Sequence, residues 1–107
     1  MGVNARPLLV GIDLGTTVCK ALVFDEELRV LSAASRHLSL STLSGTEIEQ
    51  DAEGWWVAVQ EVVREALDAP GCDARHVRGL SVSSQGISFV PVDANGMPLR
   101  NIDYRSV

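Results

Sequence analysis

Leu8-Leu9-Val10-Gly11-Ile12-Asp13-Leu14-Gly15-Thr16-Thr17-Val18-Cys19-Lys20-Ala21-Leu22-Val23-Phe24 holds two apolar runs separated by a small polar interruption. The pattern reads as strand, tight turn, strand. Gly15 allows the backbone to approach a bound group closely or to take a positive φ. Thr16 and Thr17 bring hydroxyls and backbone N–H groups, which suit phosphate oxygens. Asp13 sits where a hard cation such as Mg2+ could be held through water. Together they describe a hairpin that would grip a nucleotide phosphate by a β-turn. No G-x-x-x-x-G-K-[ST] occurs, so the helix-capping type of phosphate loop is excluded. On spacing alone, a purely structural hairpin with a D-x-G turn is the alternative.

Composition narrows the classes further. At 107 residues one domain is the prior. The formal net charge of −5 leaves no electrostatic footprint for nucleic acid or for an anionic membrane. No apolar run is long enough for a transmembrane helix, and Met1–Pro7 lacks a signal-peptide core, so a cytoplasmic location is expected. Cys19 and Cys72 match no metal spacing. Cys19 reads as a small buried hydrophobe, and a disulfide to Cys72 is not expected in a reducing compartment. His37 and His76 stand alone and read as surface or capping residues.

Along the chain, strands are expected at 8–14, 18–25 and from Arg29 toward Leu40, joined by short turns into an antiparallel meander. Thr42 to Thr46 is rich in Ser, Thr and Gly and reads as loop. Asp51 is a good helix N-cap, and Glu53 suits the first turn. Trp55, Trp56, Val59, Val62, Val63, Ala66 and Leu67 give one broad apolar face, with the two tryptophans read as core anchors. Ala69-Pro70-Gly71 stops the helix after about 17 residues. A fourth strand is expected over 79–84. Asp93-Ala94-Asn95-Gly96 then marks a hairpin turn between Phe89–Val92 and Met97–Arg100, and Asn101–Val107 has no clear period.

Strands one and two are apolar on both faces, as in a sheet covered on both sides. A single helix covers only one face. The sequence therefore reads as the start of a larger domain. The alternative is a small α+β domain that forms a homodimer through the bare face.

These residues resemble the N-terminal part of the FGGY carbohydrate kinases, within the actin-like ATPase superfamily. Four places carry the resemblance: Gly11-Ile12-Asp13-Leu14-Gly15-Thr16-Thr17 with Lys20; Glu49-Gln50-Asp51 followed by Trp55-Trp56; Gly79-Leu80-Ser81-Val82-Ser83-Ser84-Gln85-Gly86; and Val92-Asp93-Ala94-Asn95-Gly96-Met97-Pro98-Leu99-Arg100. The second resembles the family's E-Q-D-P-x-x-W-W helix start, with Ala52 in place of Pro. The fourth resembles its D-x-x-G-x-P-L hairpin.

The resemblance implies an α/β fold of the ribonuclease-H-like type, present in part: meander, helix, further strand and hairpin, with 1–107 as an incomplete N-terminal domain. It implies transfer of the γ-phosphate of ATP, with Mg2+, to a hydroxyl of a sugar or polyol. By resemblance Asp13, Gly15, Thr16, Thr17 and Lys20 go to the ATP phosphates, with Asp13 also at the metal. Ser84, Gln85 and Gly86 go to the sugar. No catalytic residue is assigned here, because the family's general-base aspartate lies far downstream, and the isolated chain is expected to be inactive. Gln85-Gly86-Ile87 differs from the Gln-Met-His of xylulose kinases and the Gln-Arg-Glu of glycerol kinases, which weakens both substrates as expectations. Asn101-Ile102-Asp103-Tyr104-Arg105 only loosely echoes the family's W-x-D-x-R. Another actin-like ATPase and a stand-alone non-catalytic binding module are the competing readings.

Overall fold

The computed structural model describes residues 6–38, 41–44, 47–50, 52–84, 91–99 and 102–105, with 41–44, 47–50 and 102–105 described by backbone alone. The strands in chain order are β1 (Leu8–Leu14), β2 (Val18–Phe24), β3 (Val30–His37), β4 (Ser41–Ser44) and β5 (Glu47–Gln50). The helix α1 (Ala52–Leu67), β6 (Val77–Ser84) and β7 (Ile102–Arg105) complete the described elements.

β1, β2 and β3 form the antiparallel meander expected from the sequence, and β6 adds to β1 in parallel, giving the order β3-β2-β1-β6. The connection from β3 to β6 runs through α1 and carries the chain from one edge of the sheet to the other, where β6 lies parallel to β1. Alternation along the strands puts Leu8, Val10, Ile12, Cys19, Ala21, Val23 and Ala34 into one core with Ala58, Val62, Ala66 and Cys72. The helix lies over β2 and β3. Ala58, Val62 and Ala66 recur every fourth residue and make the buried stripe, and small alanines on both sides let helix and sheet approach closely. Arg36 on β3 donates to Glu65 on α1 at 2.8 Å and bridges the exposed rim of this contact.

Trp56 departs from the sequence reading. It is 58% exposed and is not a core anchor. It stands on the flank of α1 that faces β1 and β6, and that half of the sheet is uncovered: Leu80 and Val82 are also more than half exposed. Trp55, Val59 and Val63 are half-buried at the edge of the core. The Asp51 cap lies outside the described residues.

A second departure concerns the stretch read as loop. Residues 41–44 are β4, paired with β5, which pairs in turn with β7 in a second antiparallel sheet. Neither STLS nor IDYR carries a strong local strand signal, and strand formation here depends on the partners.

Two turns are held by aspartates. Asp25, 2% exposed, accepts from the Glu27 and Arg29 amides at 2.9 Å each and from Arg29 Nε at 2.9 Å. Asp93 accepts from the Asn95 and Met97 amides, Gly96 takes φ +80°, and Val92 bridges to Pro98. The hairpin read at 93–96 is therefore present; 85–90 and 100–101 lie outside the described residues.

Candidate functional site

The tip between β1 and β2 forms because Gly15 N–H donates to the Val18 carbonyl oxygen at 3.0 Å. Gly15 does not use a positive φ. Its requirement is steric, since a Cβ there would stand 3.1 Å from the Val18 oxygen, tighter than ordinary contact. The tip is tied sideways as well: Leu38 N–H, just past β3, donates to the Thr17 carbonyl oxygen at 2.8 Å. Asp13, Thr16 and Thr17 are exposed, as the sequence predicts for a solvent-facing tip.

The register assembles neighbours around Asp13. Across the antiparallel ladder it faces Lys20, which in turn faces Ser35 on β3. Across the parallel ladder it faces Ser83. All four are on the sheet face opposite α1, because their alternate neighbours Ile12, Ala21, Ala34 and Val82 share the helix side. The site therefore lies at the carboxyl ends of β1 and β6, where open α/β sheets offer a crevice to ligands.

Ser84 is placed differently. It pairs with Leu14 and is on the α1 side with Leu80 and Val82. Ser83 is the β6 residue beside Asp13, and the sequence reading passed over it. The signal was available: Leu80 and Val82 mark one face by alternation, so Ser81 and Ser83 belong to the other. Gln85 and Gly86 lie outside the described residues.

The donor set fits phosphate and a hard cation in a limited way. Asp13 offers carboxylate oxygens, and the tip offers hydroxyl and amide groups. Among the described residues no group of three or more His, Cys, Asp and Glu could hold a metal. Asp13 would be the acidic side chain of this group that holds a magnesium ion, through water.

Neighbouring reactive groups are silent. Burial, and then the charge on Asp13, push the Cys19 thiol up, so it stays protonated. Cys19 and Cys72 are both free and buried. His37 is exposed at the end of β3, and His76 closes a single 3-10 turn after Asp73. An apolar groove of about 610 Å3, lined by Trp55, Trp56, Leu80 and Val82 among others, is on the opposite face and holds none of the Asp13 group. No described helix is long and apolar enough to cross a membrane.

The mixed sheet with one covering helix, and the exposed hairpin tip at the carboxyl ends of a parallel pair, agree with part of the actin-like ATPase fold that the resemblance implies. The N-terminal domain model of the FGGY family of carbohydrate kinases matches residues 8–105, and the chain belongs to that family. It is 38% identical over 101 residues to a xylulose kinase of Streptomyces coelicolor, covering 94% of this chain and 20% of that protein. It is 31% identical over 87 residues to a glycerol kinase of Agrobacterium fabrum, covering 81% and 17%. The crystal structure of xylulose kinase from Rhodospirillum rubrum superposes with a TM-score of 0.76 at 26% identity, over 90% of this chain and 20% of that one. The chain thus spans about a fifth of the length of the relatives it matches.

Proposed function

We propose that this chain forms one wall of an ATP-dependent carbohydrate kinase, as the incomplete N-terminal domain of a longer enzyme. The observation that carries the reading is the exposed Asp13–Thr17 tip at the carboxyl ends of β1 and β6, with Lys20 and Ser83 beside Asp13. In this reading Gly15, Thr16 and Thr17 receive phosphate oxygens of ATP through amide and hydroxyl groups. Lys20 adds positive charge next to them. Asp13 would hold Mg2+ through water, and the bound ion would supply charge neutralisation on the transferring phosphoryl group. By resemblance, Ser84, on the α1 side of β6, together with Gln85 and Gly86 would serve a sugar or polyol, whose hydroxyls are read by paired donors and acceptors.

The isolated chain is inactive in this reading. Asp25 and Asp93 are engaged by backbone amides of their own turns, and Asp73 by Arg75. Asp13 is committed to the metal in this reading and is unsuited to taking the proton of the attacking hydroxyl. Positioning and charge stabilisation are both incomplete without the remaining walls.

The test is a coupled phosphorylation assay on the longer protein with a panel of ketoses, aldoses and polyols, xylulose and glycerol included. The expected result is ATP-dependent turnover of one of them, abolished by Asp13→Ala with sugar affinity largely kept, and a raised sugar KM in Gln85→Ala. Turnover by the purified 107-residue chain, or full activity in the Asp13→Ala enzyme, would sink the proposal.

A further inference from the structure

We draw no further inference here: the strongest candidate, the apolar groove between α1 and the β1/β6 half of the sheet, lined by Ile12, Leu14, Trp55, Val59, Leu80 and Val82, carries none because nothing in the structure shows what covers it.

Discussion

Asp13 and Lys20 stand directly opposite each other across the β1/β2 ladder, both exposed, on the sheet face that α1 leaves open. Opposite charges in this position support each other modestly. A larger role follows if phosphate oxygens arrive at the tip, because Lys20 is then the nearest cation along the ladder. On the proposed kinase reading, Lys20→Met in the longer enzyme is expected to raise the KM for ATP about tenfold, or about 1.4 kcal/mol, and Lys20→Arg to restore most of it. Steady-state kinetics with ATP varied at saturating sugar measures this. An unchanged KM in Lys20→Met would mean that the side chain only faces solvent.

Core substitutions on α1 separate its two apolar flanks. Val62 is fully buried between helix and sheet, whereas Trp56 is mostly exposed. In the 107-residue chain, Val62→Ala is expected to cost about 2 kcal/mol through lost burial and a residual cavity. Trp56→Ala should cost less than about 0.5 kcal/mol, as for an exposed surface change. Urea unfolding followed by far-UV circular dichroism gives both values. The reverse ranking would contradict the helix orientation described above.

Leu28 takes φ 64° in the turn between β2 and β3, with its side chain 68% exposed. A non-glycine residue held in this region costs about 1 kcal/mol, and asparagine tolerates it better. Leu28→Asn is expected to raise the thermal midpoint, and Leu28→Ile, with its β-branch, to lower it. Scanning calorimetry of the two variants decides the matter. Equal midpoints would show that the turn relaxes without strain.

Acid should unfold the chain through its turn aspartates. The Arg29 amide, helped by the Arg29 guanidinium and the Glu27 amide, holds the Asp25 carboxyl below its usual range against the effect of burial. The Arg75 guanidinium and amide lower Asp73 to about 2. A carboxylate lowered in the folded state contributes stability above its unfolded pKa of about 3.9 and loses it as pH falls through the folded value. The urea midpoint should therefore be flat near neutrality and fall between about pH 4 and pH 2. Asp25→Asn should start lower at pH 7 and fall less steeply. A variant with an unchanged acid slope would remove Asp25 from the account.

The meander, α1 and the hairpin at 93–96 were legible because their signals are local. Leu8–Ile12 and Ala21–Phe24 flank a short polar turn, and Asp93 and Gly96 mark a turn by chemistry that needs no distant partner. β4, β5 and β7 were not legible, because STLS, EIEQ and IDYR become strands through one another across about half the chain. The tip at Asp13 was readable for the same local reason. Its neighbour on β6 was harder. Leu8 pairs with Val77 but Leu9 pairs with Gly79, so the ladder skips Arg78. Without that irregularity Val82 would face Asp13. Alternation gave the faces of β6, but its pairing with β1 is a long-range choice. Trp56 was misplaced because a broad apolar stripe does not say which edge of it meets the sheet.

The parallel pairing of β1 with β6 also sets an order of events. Asp13 and Ser83 are separated by about 70 residues of chain, so closing their contact carries a large loop-entropy cost before any reward arrives. The β1/β2 hairpin closes only a short loop, so its entropy cost is small, while one edge of β1 is still open. Ser83 arrives only when α1 has docked and the crossover is complete. During synthesis, the Asp13–Thr17 tip emerges well before its β6 neighbour, so the grouping of Asp13, Lys20 and Ser83 is completed together with tertiary structure.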